Sequence, residues 1–107
     1  MTPPARTTHK PKRDGIAEVD AWDAVFAALS HPSRRQILGV LHARGDRVKA
    51  GDIASRFACS WPTTTRHLRV LEQARLVSVE KQGRERVYAL QRKYLTDVVG
   101  RWLKSFE

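Results

Sequence analysis

The sequence predicts a mainly α-helical fold with one small β-hairpin, built as a single domain of five helices and two strands. Apolar residues recur at three- and four-residue spacing in several segments, as they do on one face of a helix. Two alternating segments flank a glycine at position 83 and predict the hairpin. Hydrophobic residues make up 41% of the 107, so we expect the chain to fold.

The first 18 residues differ in composition from the rest. They contain three of the five prolines and several cations, and little that a core could bury before Ile16. We predict a flexible basic tail over residues 1–18 and a folded domain over residues 19–107. The tail either has no specific role or adds contacts to phosphate groups.

Two helices are predicted in the first half of the domain. The first spans about residues 20–29, because four apolar residues fall on one face: Trp22, Val25, Phe26 and Leu29. The second begins at Pro32, a favoured first-turn residue, with His31 before it as a capping or packing residue. It ends near Gly45, a suitable C-terminal stop.

The next two helices follow closely. The third covers about residues 50–57. Ser60 predicts an N-cap for the fourth, which begins at Trp61-Pro62 and continues to about Ala74. Its inward face is predicted to hold Thr64, Leu68 and Leu71. Its outward positions are Thr63, Thr65, Arg66 and Arg69.

A hairpin and a fifth helix complete the domain. Val77 and Val79 alternate with polar residues, and a second strand contains Val87, Tyr88 and Leu90. Gly83 lies between the strands and is able to take a positive φ. The fifth helix, over about residues 93–106, carries a broad apolar stripe formed by Leu95, Val98, Val99, Trp102, Leu103 and Phe106.

The charge of the chain indicates a polyanionic partner. Lys and Arg number 20 against 11 Asp and Glu, which gives a net charge of +9. Nucleic acid is the first candidate and an anionic membrane surface the second. No apolar run approaches the roughly 20 residues that span a bilayer, and the N-terminus lacks the apolar core of a signal peptide. We therefore expect a cytoplasmic protein with no membrane partner, and the single cysteine, Cys59, fits a reducing compartment.

The positive charge is concentrated in residues 60–93, which contain eight Lys or Arg and three Glu. Arg can bond guanine and Thr can bond base edges, while cations at a hairpin tip suit phosphates. The order of helix, tight turn, helix and basic hairpin predicts a winged helix-turn-helix that reads double-stranded DNA. The candidate DNA-binding residues are Ser60, Trp61, Thr63, Thr65, Arg66, His67, Arg69, Lys81, Gln82, Arg84 and Arg86.

Other functions share some of these features. A non-specific nucleic-acid-binding or architectural protein would have the charge without needing the Thr-Thr-Thr-Arg-His row. A winged helix that binds an acidic protein would also need a basic hairpin. An enzyme is not expected, because no acid, base and nucleophile converge in the sequence. For His67, contact with a phosphate and packing beside Trp61 are equally consistent with the sequence.

Four segments occur in order along the chain: ALSHPSRRQILGVL, DIASRF, RHLRVLEQARLV and GRERVYAL. Together they resemble the winged-helix repressors of the ArsR/SmtB family over about residues 22–90. The resemblance implies a homodimer formed largely by the first and last helices, operator DNA read by the second helix of the helix-turn-helix, and repression. Thr65 and Arg75 depart from it, since relatives often have Ser and Gly there; a non-Gly residue in a left-handed cap costs about 1 kcal/mol.

Many relatives sense a metal, but the positions concerned differ here. Asp52, Ile53 and Ala54 occupy the place of the Cys box, and Asp97 has no His beside it on the last helix. Because a metal needs three or four converging ligands, we predict no metal and no cofactor. An unidentified small-molecule effector stays open. Cys59 is predicted to be a small buried hydrophobe, with a redox switch as the alternative.

The apolar stripes of the first and last helices predict a dimer seam, with a ligand pocket as the alternative. A two-fold dimer would place two recognition helices about 34 Å apart, which predicts an inverted-repeat operator. The candidate interface residues are Trp22, Val25, Phe26, Leu95, Val98, Val99, Trp102 and Phe106.

Overall fold

The computed structural model of the protein describes residues 13–57 and 60–107. Residues 1–12, where most of the expected tail falls, and Cys59 lie outside this part of the chain. The elements in chain order are α1 (Arg13–Leu29), α2 (Pro32–Ala43), β1 (Arg47–Lys49), α3 (Ala50–Ala54), α4 (Trp61–Gln73), β2 (Val77–Gln82), β3 (Glu85–Leu90) and α5 (Arg92–Lys104). Five helices and a β2–β3 wing confirm the predicted fold class.

The sheet has one strand more than predicted. β1 pairs antiparallel with β3, so the order is β1-β3-β2, with Val48 opposite Tyr88 and Tyr88 opposite Val79. A strand of three residues is too short to show alternation in the sequence. The β2–β3 loop has a positive φ at Gly83 alone (+63°), the pattern of a type II′ turn.

Two helix boundaries differ from the prediction. α1 begins at Arg13 rather than near residue 20, so residues 13–18 are helical instead of belonging to a tail. The longer helix places Val19 about one turn and Ile16 about two turns before Trp22, and the apolar spacing therefore continues upstream. α3 ends at Ala54, three residues earlier than expected.

Helix α4 ends in a left-handed residue that is not glycine. Arg75 has φ +66°, the amide of Leu76 donates to the carbonyl of Leu71 at 3.0 Å, and the amide of Arg75 donates to Glu72 at 3.0 Å. These two bonds are a Schellman motif. The Arg75 guanidinium lies 5.5 Å from the ring centre of Tyr94, and this cation–π contact offsets part of the backbone strain.

The core lies between the helices and the inner face of the sheet. It is formed mainly by Val25, Ala28, Ile37, Leu38, Leu41, Val48, Ile53, Leu68, Leu71, Ala74, Leu76, Val77, Tyr88, Leu90 and Val98. Leu68 and Leu71 are at most 1% exposed, as is Thr64, which confirms the predicted inward face of α4. This packing fixes which side of α4 faces solvent.

Candidate nucleic-acid interface

Local hydrogen bonds set the start of α4. The Ser60 hydroxyl accepts from the amide of Thr63 at 3.4 Å and donates to the Thr63 hydroxyl at 3.1 Å, so Ser60 is the predicted N-cap. The Thr64 hydroxyl donates to the Ser60 carbonyl at 3.1 Å. Trp61 and Pro62 therefore occupy the first helical turn, and the Trp61 side chain is 44% exposed.

The outward side of α4 carries cations without counterions. Arg66 and Arg69 are exposed, and neither pairs with a carboxylate of residues 16–57 or 60–107. Thr63 is half-buried beside them. A ligand on this side of the helix would contact the guanidinium groups of the arginines, the hydroxyl of Thr63 and the indole ring of Trp61.

Two predicted contact residues on α4 turn inward. His67 is 8% exposed and its ring packs against that of His31, so little of the ring is open to a phosphate, and its contact with DNA stays a prediction. The Thr65 hydroxyl oxygen is buried and has no hydrogen-bond partner within the described chain. Both lie toward the body of the domain because a helix repeats every 3.6 residues and the wide apolar face extends past Thr64 and Leu68.

The outer face of the wing is electrically neutralised. Arg47 donates to the Glu80 carboxylate at 2.7 Å, and Lys49 lies 3.2 Å from the Glu85 carboxylate. Hydrogen bonds from Arg47 and then Gln82 hold the pKa of Glu80 below its usual value. The outer cations are therefore already paired with carboxylates.

The opposite face of the wing has unpaired cations at its tip. Lys81 stands directly across from Arg86, and alternation along β3 puts Arg86 on the same face as the buried Tyr88. Lys81, Arg84 and Arg86 form no ion pair in the part of the chain that the structure covers. Gln82, on the outer face with Glu80, is also exposed. All four predicted wing residues therefore lie at the surface.

A cleft of about 560 Å³ separates the wing from the helix-turn-helix. Its lining includes Trp61 of α4, Asp52 of α3, Arg84 and Arg86 at the tip of the wing, and both partners of the Lys49–Glu85 ion pair. The cleft brings the start of α4 and the tip of the wing onto one side of the protomer. A single long polyanion lying across this side would contact both.

The α1–α5 side is apolar and partly exposed. Phe26 and Phe106 each meet Trp102 edge to face, with ring centres 4.9 Å apart. We call Phe26, Trp102 and Phe106 the aromatic ridge. The side chain of Phe106 is 72% exposed, and that of Leu103, next to Trp102 in the sequence, is 55% exposed. Trp22, Leu95 and Val99 are half-buried beside it.

Two of the predicted interface residues belong to the protomer core instead. Val25 and Val98 have 0% exposure, so they have no surface to offer a partner. The Val98 carbonyl also accepts a hydrogen bond from the Trp22 indole at 2.9 Å, which ties α5 to α1. Ile16 and Val19, at 62% and 48% exposure, extend the apolar surface of α1. Ile16 was missed because it fell in the expected tail, and Val19 because it preceded the predicted start of the first helix near residue 20. Their three-residue spacing ahead of Trp22 was the available signal.

The described residues also bear on two kinds of partner, a metal ion and a membrane. Within residues 13–57 and 60–107, no three His, Cys, Asp or Glu side chains come together in a group that could hold a metal ion. None of the helices in this portion is both long and apolar enough to cross a membrane.

Comparison with known proteins identifies the family. The family described as "Helix-turn-helix domain" matches residues 29–80. The transcriptional repressor SdpR of Bacillus subtilis is 39% identical over 82 residues, which cover 77% of this chain and 88% of SdpR. The structure of an ArsR-like transcriptional regulator from Rhodococcus sp. RHA1 superposes with a TM-score of 0.73 at 31% identity, covering 84% of this chain and 82% of that one.

A third relative shares the fold at lower identity. The solution structure of a homodimeric winged helix-turn-helix DNA-binding domain from Mycobacterium bovis has a TM-score of 0.71 and 22% identity, covering 94% of this chain and 92% of that one. Given the identity and coverage shared with SdpR and with the ArsR-like regulator of Rhodococcus, the chain belongs to the ArsR family of DNA-binding transcriptional repressors.

Proposed function

We propose that two copies of this chain bind an inverted-repeat operator in double-stranded DNA and repress transcription from it. The chain belongs to a family of transcriptional regulators, not of enzymes. The observation that carries the proposal is the contrast within the wing. Arg47 and Lys49 are paired with carboxylates, whereas Lys81 and Arg86 face each other without a carboxylate partner among the described residues. Arg86 also lines the cleft that Trp61 of α4 lines.

In this proposal α4 enters the major groove. Trp61, Thr63 and Arg66 reach base edges, because they lie on the first two turns of the helix and at least partly at the surface. Arg69 lies one turn further along and contacts the backbone. Ser60 serves the site indirectly, since its hydroxyl is used as the cap.

The wing follows the adjacent sugar–phosphate backbone. Lys81, Gln82, Arg84 and Arg86 supply contacts that carry no base information and so set register and affinity. The cleft between Trp61 and Arg84 then spans the edge of the groove. Two cations at one cross-strand position repel each other in the unbound protein, and phosphate relieves that repulsion.

The α1–α5 side forms the dimer seam. Leu103 on α5, Phe106 just beyond its end, and Ile16 and Val19 on α1 expose apolar surface at the aromatic ridge, and contiguous exposed apolar surface marks interaction sites. The homodimeric Mycobacterium bovis domain has the same fold. A two-fold axis through this seam places two α4 helices about one DNA turn apart. A regulator of this kind must be in the same compartment as its operator DNA, which is consistent with the predicted cytoplasmic location.

Selection from random double-stranded DNA tests the proposal. The purified protein is incubated with the pool, and the bound fragments are sequenced over several rounds at fixed salt. We expect enrichment of an inverted repeat, and Arg66→Ala should lose that enrichment while still retaining bulk DNA. Enrichment of no motif, with tight bulk binding, indicates an architectural protein. No DNA binding even at low salt would point to an acidic protein partner instead.

A further inference from the structure

Three side chains join the recognition helix to the rest of the domain. The rings of His31 and His67 are 4.4 Å apart, and Nη1 of Arg34 lies 3.4 Å from Nδ1 of His67. We call His31, Arg34 and His67 the histidine cluster. His67 belongs to α4, whereas His31 and Arg34 belong to the start of α2.

Arg34 extends this connection to α1. Its Nε donates to the Ala28 carbonyl at 2.7 Å and its Nη2 donates to the Ala27 carbonyl at 3.1 Å. Both carbonyls lie in the last turn of α1, where helices leave acceptors unpaired and favour positive charge. One guanidinium therefore holds the end of α1 and the buried edge of α4 together.

The contact between Arg34 and His67 requires a neutral imidazole. Arg has only N–H donors, so Nδ1 of His67 must offer its lone pair and carry its proton on Nε2. His31 is constrained in the same way, because its Nδ1 accepts from the amide of Ser33 at 3.1 Å as the N-cap of α2. A proton on either Nδ1 removes an acceptor that the cluster uses.

The electrostatic surroundings of His67 are entirely positive. Burial lowers its pKa first, and the charges of His31, Arg34 and Arg66 lower it further. His67 faces His31 and Arg34 at the start of α2, and Arg66 on its own helix. Its link to α1 is indirect, because Arg34 contacts His67 and also bonds the backbone carbonyls at the end of α1. No carboxylate among the described residues compensates a proton on this ring.

We propose that Arg34 is a positioning residue for α4 and that protonation of the histidine cluster loosens the recognition helix, so that operator affinity falls on acidification. The proposal rests on the proposed function for its DNA readout. Its sign is distinctive, because added positive charge alone strengthens binding to DNA. Here the proton weakens sequence-specific binding by separating α4 from the end of α1.

The first test follows the unbound protein by NMR. Backbone amides of α4 and the Trp61 indole are recorded from about pH 7.5 to pH 5.0, a window that extends well below the ordinary histidine pKa because the pKa of His67 is lowered. We expect α4 amides to titrate together in the wild type and to stay constant in His67→Asn, whose amide oxygen accepts from Arg34 at every pH. His42→Gln, a change at an exposed histidine on the far end of α2, should titrate like the wild type. Because no DNA is present, this readout is independent of the proposed function.

The second test measures affinity for an inverted repeat recovered by selection. Over the same pH range at constant salt, the wild-type Kd should rise roughly fivefold or more, while the Kd of His67→Asn should be flat or fall slightly. Arg34→Lys should retain charge but lose the double anchor, and therefore bind weakly at both ends of the range. Wild-type affinity that rises on acidification, or α4 amides that titrate equally in His67→Asn, would overturn the proposal. Thermal unfolding of each variant separates these results from loss of the fold.

Discussion

Lys81 and Arg86 occupy directly opposite positions on the two strands of the wing, so two cations share one cross-strand site. Like charges in this arrangement cost the folded state a few tenths of a kcal/mol. A wing that had only to fold would replace one of them with a carboxylate, as the outer face does at Arg47 and Glu80. This pair of cations therefore lowers the stability of the wing, at the position where we propose that the wing contacts the phosphate backbone.

Lys81→Glu should accordingly make the protein more stable and a weaker DNA binder. It replaces repulsion with a cross-strand ion pair to Arg86, raising the free energy of unfolding by a few tenths of a kcal/mol. Urea denaturation measures the gain, and fluorescence anisotropy the loss of affinity. Lys93→Glu on α5 changes the net charge equally and serves as the control for affinity only, because it also breaks the ion pair of Lys93 with Asp97. Equal losses of affinity in the two variants would show that net charge alone matters.

Arg66 and Arg84 should differ in what they contribute to binding. Arg66→Ala should cost about 1–3 kcal/mol on the selected operator and relax specificity at one base pair. Arg84→Ala should weaken all sequences about equally and reduce the slope of log Kd against log salt by about 1. Titrations of operator and scrambled DNA at three salt concentrations check both. The assignment fails if the two variants have the same specificity profile.

Changes at the exposed end of α5 should affect assembly and not folding. Leu103→Asp and Phe106→Ser alter side chains that are 55% and 72% exposed in the protomer, so unfolding of the monomer should change little. Each should weaken dimerisation by about 2 kcal/mol, or roughly thirtyfold in Kd. Analytical ultracentrifugation measures this, with Trp61→Ser as a matched change at an exposed aromatic outside the seam.

Arg75 should reveal the cost of a left-handed cap. Glycine takes φ +66° without a Cβ penalty, whereas alanine keeps the strain and loses the contact with Tyr94. Arg75→Gly should therefore be more stable than Arg75→Ala by about 1 kcal/mol. Thermal denaturation of the two variants decides the order. A more stable alanine variant would mean that α4 ends without a left-handed residue.

Asp46 should contribute to acid sensitivity. A hydrogen bond from His42, followed by one from Arg92, lowers its pKa below the ordinary value of 3.8. The stabilisation is present above that value and is lost as the pH falls through the lowered one, because the unfolded chain binds the proton first. Asp46→Asn tolerates the same positive φ and carries no charge, so its urea midpoint should fall less than that of the wild type between about pH 5 and pH 3.

Periodicity and caps predicted much of this architecture from the sequence. Ser60, Pro62 and the inward Thr64 and Leu68 followed from local rules, since each depends on neighbours within one or two turns. The positive φ of Gly83 followed in the same way. The exposed wing cations could also be placed, because a hairpin tip has few places to bury charge.

Contacts between distant segments could not be predicted. Arg34 and His67 are 33 residues apart, and no local pattern in the sequence indicates that their side chains meet. Periodicity identifies apolar faces without saying what covers them, so Val25 and Val98 looked the same as seam residues although they lie inside the protomer. β1 exists only because β3 pairs with it.

A direct test of whether two copies of the chain bind one operator is to titrate a selected inverted repeat with the protein. The stoichiometry and the affinity are measured in the same experiment. We expect two protomers per repeat. Scrambling one half-site should lower the affinity by at least about a hundredfold, because only one α4 of the dimer then contacts its recognition sequence. One protomer per repeat, or equal affinity for the intact and half-scrambled DNA, would contradict a dimeric reader built from two copies of α4 and the wing.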